Sequence, residues 1–336
     1  MTDTLPVTPA ALHGFEPSAE RVRFLDQRMR LRLQDSLRYI ADQAQGQLGL
    51  DQERFQSFLT RLAQQPVSPL IFSFYSDAVF AIEEDDLEEA TRLFREMLQV
   101  PAHSGALNIS ALGDPAEDAI SRRYARFIDT DPSAPFEVFP PSAEATTNCR
   151  AQITEAFALM DAGDPALAAE IRALLREIVL AAGTEDPKAM TFDGASAFML
   201  WGAIILNANR RDGALGMVQM LAHESAHNLL FGWSADETLV ENPPGALYPS
   251  PLRVDPRPMD GIYHATFVTA RMHRAVRRLL DSGVLPPALQ EKARQELAHN
   301  AALFAKGMET VERHGQLTPL GEAVIHGARD YMAASA

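Results

Sequence analysis

Residues Ala214 to Leu230 are apolar almost all round a helical projection, yet they contain two histidines and a glutamate. Leu215, Met217, Val218, Met220 and Leu221 leave no polar face, so a helix here has to be buried on every side. Burying two imidazoles and a carboxylate is costly unless each is ligated or hydrogen-bonded. The chain must therefore build a core around this helix and supply that core with partners for His223, Glu224 and His227.

Most of the remaining sequence also reads as helix. Val22, Leu25, Met29, Leu33, Leu37 and Ile40 recur at spacings of three and four within Pro17 to Gln45, the signature of one buried stripe. Asp51 to Gln64 repeats the pattern with Phe55, Phe58, Leu59 and Leu62, and Asp51 is placed to cap it. Helices are further expected over Asp86 to Val100, over Pro115 to Ile128 behind Asp114, and over Ala166 to Ala182 behind Asp164-Pro165. Three more close the chain: Met259 to Ser282, Pro286 to Gly315 and Pro319 to Ala334. Strand signals are few: a buried run over Ala195 to Leu206 and a short one over Phe136 to Phe139. The expected class is mainly α (α+β), a helical protein with a small β element next to the histidine-bearing helix.

The stretch Val240 to Pro258 holds Pro243, Pro244, Pro249, Pro251, Pro256 and Pro258. Proline lacks the backbone donor, so this segment is neither helix nor central strand. Tyr248, Leu252 and Val254 alternate there with Arg253, Asp255 and Arg257, which predicts an ordered loop.

Composition removes several classes of function. With 30 Lys+Arg against 45 Asp+Glu in 336 residues, the net charge is −15, the wrong sign for a phosphate-backbone binder. No nucleic-acid partner is expected. The single cysteine, Cys149, excludes an intramolecular disulfide framework and any cysteine-rich metal site. The N-terminal segment lacks a basic stretch followed by an apolar one, and the run Ala197 to Leu206 is too short to span a bilayer. The expectation is a cytoplasmic protein with no membrane partner.

His223-Glu224-Ser225-Ala226-His227 is an H-E-x-x-H sequence. On a helix, positions i and i+4 share a face, so both imidazoles can reach one metal ion. Glu224 can then reach a metal-bound water as a base, or orient it. The bland alternative is a pair of hydrogen-bonded core histidines. A metal site needs a third donor. Leu230 and Trp233 occupy the positions where a metzincin would have glycine and histidine, so that class is excluded. Glu237 and Glu241 are available, but they precede the proline-rich loop. His264, early in the helix Met259 to Ser282, is the better candidate. Arg253, Arg257 and Arg271 surround it in sequence, and arginine grips carboxylates in a two-pronged fork. Pairing of these arginines with Asp255 and Asp260 is the competing reading.

The ordered combination of His223 to Phe231, Glu241-Asn242-Pro243-Pro244, and Tyr248 to Val268 resembles the HExxH-motif family of 2-oxoglutarate-dependent peptide β-hydroxylases, over roughly residues 215 to 272. The resemblance implies a non-haem iron dioxygenase on a zincin-like metal helix. It would act in the biosynthesis of ribosomally made, modified peptides. His223, His227 and His264 would hold Fe(II), Glu224 would orient or relay a proton, and one of Arg253, Arg257 and Arg271 would bind 2-oxoglutarate. The partners would be a precursor peptide and O2, with the strand before the metal helix offering its edge to the peptide. A zinc metallopeptidase with Glu224 as general base is the alternative enzyme. A helical binding protein with structural histidines is the alternative outside enzymes. The expected division is an N-terminal helical region, 1–135, which could dock a peptide, and a metal-binding catalytic region, 136–336, unless the two form one continuous domain.

Overall fold

The computed structural model describes residues 12–44, 46–128, 137–184, 192–210, 212–250 and 255–335. It is mainly helical with a small mixed sheet. The chain forms two compact units that interleave in sequence. One comprises Met1–Val22, Arg150–Ile171 and Arg211–Ala336; the other comprises Arg23–Cys149 and Arg172–Arg210. This differs from the expected boundary at residue 135, because each unit recruits segments distant in sequence to close its own core.

The second unit carries α1 (Ala19–Gln43, apart from its first turn), α2 (Gln52–Gln64), α3 (Leu70–Glu83), α4 (Leu87–Gln99) and α5 (Ala119–Ile128). The predicted cap of α2 is present, Asp51 accepting from the Arg54 amide at 3.1 Å; Asp86, expected as the first residue of its helix, instead caps α4 by accepting from the Glu89 amide at 2.9 Å. The cap of α5 lies elsewhere than expected. Asp114 closes a turn onto the Ala116 amide, and it is Asp118 that accepts from the Ser121 amide, so the helix opens at Ala119 rather than at Pro115.

The sheet of this unit consists of β1 (Asn108–Ala111), β2 (Val138–Phe139), β3 (Glu177–Gly183), β4 (Gly194–Ala195) and β5 (Ala203–Asn207). Its order is β1-β3-β5-β4, with β2 beside the end of β3. The strands β1, β3 and β5 are parallel, with Ile109 opposite Ile178 and Ile178 opposite Ile204. Two expectations fail here. The helix predicted over Ala166 to Ala182 stops early, as α7 (Pro165–Leu174), and β3 follows at once. The strand predicted over Ala195 to Leu206 is split into β4 and β5 by a 3-10 turn at Phe198–Leu200, with Gly202 at φ +84. Both runs are buried without alternation, so hydrophobic period could not tell strand from helix. Of the predicted strand Phe136 to Phe139, β2 covers the last two residues, and Phe136 lies outside the described residues.

The helical unit is built on α8 (Gly213–Trp233), α9 (Met259–Asp281), α10 (Pro287–His314) and α11 (Pro319–Ala334), with most of α6 (Ala143–Gly163) and most of α7. Gly213 opens α8 at φ +70, a conformation that favours glycine. Helix α8 is buried over most of its length, as its composition required. It packs on α9, which also contacts α10 and α11. Phe267 of α9 meets Trp233 and Phe15 edge-on, at 5.7 and 5.9 Å between ring centroids. The proline-rich stretch is tied down where it is described. Asn242 Nδ2 donates to Tyr248 and to the His314 carbonyl, and its Oδ1 accepts from the Gln316 amide at 2.7 Å. The two-residue strands β6 (Leu247–Tyr248) and β7 (Arg257–Pro258) pair antiparallel. No helix among the described residues is long and apolar enough to cross a membrane.

Candidate metal centre

Helical spacing alone stacks His223 and His227 on one face of α8, and their Nε2 atoms lie 3.2 Å apart. Tertiary packing adds the third imidazole. His264, in the second turn of α9, brings its Nδ1 to 3.1 Å from Nδ1 of His227. The Phe231 ring lies over this pair, 6.5 Å from the His227 ring centroid and 5.6 Å from that of His264.

Burial sets the protonation of these groups. The His227 imidazole is held well below the ordinary histidine range, first by burial and then by repulsion from His223 and His264. His264 is lowered by burial, with the Asp260 carboxylate opposing the shift. Both rings are therefore neutral near pH 7, the form in which imidazole binds a divalent cation. Two carboxylates stand close by. Glu224, itself buried, places Oε1 4.0 Å from Nε2 of His223, and Asp260 places Oδ1 3.8 Å from Nε2 of His264.

Donor chemistry and donor geometry can be judged separately. Three imidazoles, of which those of His227 and His264 are kept neutral by burial, with a nearby carboxylate have the donor chemistry that suits Fe(II) or Zn(II). The nitrogens meet in pairs, since His227 turns Nε2 to His223 and Nδ1 to His264. Among the described residues, no three His, Cys, Asp or Glu side chains are already arranged as a joint metal cage.

The remaining candidates fall in different places. Arg271 is buried, donating to the Phe15 carbonyl at 2.5 Å and pairing with the fully buried Glu170. Its guanidinium is taken up by the framework of the helical unit and does not form an open carboxylate site. Arg257 pairs with Asp255 at 2.7 Å, the competing arrangement read from the sequence, while Asp260 faces His264. Arg253 lies outside the described residues. Glu237 and Glu241 are exposed beside the bridge between Val240 and Leu317. The strand before α8, β5, is covered on both sides where Ile205 and Leu206 pair with β3 and β4. Edge addition of a peptide to that part of β5 is therefore closed off.

Two neighbours of the imidazoles were not singled out from the sequence. Asp260 sits four residues before His264, a spacing that puts both on one helix face and was legible in principle. Met272, whose Sδ lies 3.3 Å from Nδ1 of His223, gives no local signal, because its partner is on another helix. The chain matches no protein-family model, and no curated protein matches it.

Proposed function

We propose that this chain is an Fe(II)- and 2-oxoglutarate-dependent dioxygenase that hydroxylates a β-carbon of a ribosomally made precursor peptide. The observation that supports this reading is that His227, already beside His223, also meets His264, 37 residues further along the chain on another helix. A histidine drawn out of solvent onto an H-E-x-x-H face has a cost that ligation would repay.

In this reading His223, His227 and His264 hold the iron. With 2-oxoglutarate and O2 bound, the metal would supply the oxidising chemistry for C–H hydroxylation. Glu224, buried beside His223, is assigned as an orienter or a proton relay. Phe231 shields the imidazoles from water. Arg257, whose partner Asp255 is exposed, and Arg253 are the arginines we assign to the cosubstrate carboxylate, since Arg271 is buried against the buried Glu170. A cytoplasmic location is part of this proposal.

The position of Glu224 favours one second reading, a zinc metallopeptidase in which this carboxylate activates water. One incubation separates the two. With Fe(II), ascorbate, 2-oxoglutarate and a precursor peptide encoded beside the gene, the expected result is a mass gain of one oxygen, with succinate formed. A cleaved peptide without need of 2-oxoglutarate would overturn the hydroxylase and favour the peptidase. An unchanged peptide and a metal-free protein would leave a binding protein. His264→Ala is expected to lose metal as fully as His223→Ala, measured by elemental analysis; full occupancy would remove His264 from the ligand set.

A further inference from the structure

Each motif histidine has two ring nitrogens, and only one can face a metal. Which one does so depends on what holds the other. For His223 the structure supplies a partner of unusual kind. Nδ1 lies 3.3 Å from the Met272 thioether sulfur, delivered by α9 where it packs on α8. A thioether carries no proton and can only accept. The contact is thus a hydrogen bond in one tautomer alone, with the proton on Nδ1 and the lone pair on Nε2. Nε2 is also the atom that faces Nε2 of His227 at 3.2 Å.

We propose that Met272 is a positioning residue, which fixes His223 as the Nδ1–H tautomer and turns its Nε2 lone pair toward the metal position. The proposal rests on the metal-site reading, and it has consequences for the metal-free protein as well. If Nε2 of His223 is an acceptor, the contact to His227 is filled by the Nε2–H of His227. The Nδ1 of His227 is then an acceptor for the Nδ1–H of His264, 3.1 Å away. One sulfur thereby sets the direction of hydrogen bonding through all three rings. A thioether is a weaker acceptor than the carboxylate or carbonyl that usually orients a ligating histidine. The orientation here consequently depends on α8 and α9 staying packed.

The test uses the full-length protein labelled with 15N at histidine. In metal-free protein, long-range 1H–15N spectra should show His223 protonated at Nδ1 and bare at Nε2. Met272→Leu keeps the volume and removes the acceptor. It should let the Nε2–H tautomer of His223 appear and should weaken Zn(II) and Fe(II) binding about tenfold in chelator competition. Met272→Gln, which returns an acceptor, should restore the Nδ1–H signal. A wild-type protein with His223 protonated at Nε2 would overturn the proposal. So would a Met272→Leu variant with unchanged tautomer and unchanged metal affinity. The metal-site reading fails separately: a wild-type protein that binds neither metal would remove it, while the tautomer shift between wild type and Met272→Leu still decides the role of Met272.

Discussion

In the sheet unit, Ile178, Val179 and Leu180 of β3 face Ile204, Ile205 and Leu206 of β5, and all six are buried hydrocarbon. In the helical unit, the helix that carries His264 also carries Arg271 and Arg274 into the interior, where they meet Glu170 and Asp164. Glu170 also accepts from Arg21 and from the Ser18 amide. The sheet's core gains from area removed from water and tolerates approximate packing. A core laced with ions gains little net stability and loses heavily if one partner is removed. Here its ion pairs tie α9, which carries His264, to Glu170 and Asp164.

That contrast can be broken from either side. The largest effect is expected from Glu170→Ala, which leaves Arg21 and Arg271 buried with no carboxylate between them. Unfolding by urea should show a loss of about 3–5 kcal/mol. Ile204→Ala, at the centre of β5, should cost about 2–4 kcal/mol through lost contact and the cavity left behind. If Ile204→Ala proves the more damaging, the ionic core is not the more brittle one.

The smallest effect sharpens the comparison through pH. His273 bonds to the Tyr331 hydroxyl at 2.9 Å and is pushed down to about 4, by burial first and by Arg277 second. Its folded value lies below the ordinary 6.5, so the unfolded chain binds the extra proton. Stability from this group is complete above about pH 6.5 and is lost as pH falls toward about 4. His273→Gln should flatten the fall in urea midpoint across that window. An unchanged slope would assign the acid sensitivity to other groups.

Much of the architecture was legible before any coordinates. The burial of α8 follows from its composition, and the cap at Asp51 follows from local hydrogen-bonding chemistry. The final three helices lie within a residue or so of their expected bounds. The strand β3 was not legible. Its run Ile178-Val179-Leu180-Ala181 is buried on both faces, which erases the alternation that marks a strand. The 3-10 break at Phe198–Leu200 was hidden inside an apolar run for the same reason.

The candidate site divides along the same line. The sequence by itself determined that His223 and His227 share a face, because covalent helix geometry sets every i, i+4 neighbour. It also singled out His264 and three arginines as groups worth locating. Only the tertiary structure decided that His264 meets His227, that Met272 meets His223, and that Arg271 is spent on Glu170. Those outcomes depend on which faces of α8, α9 and the buried carboxylate-bearing helix pack together. Such packing is set by the shape and charge of the whole unit, and no short stretch of sequence contains it.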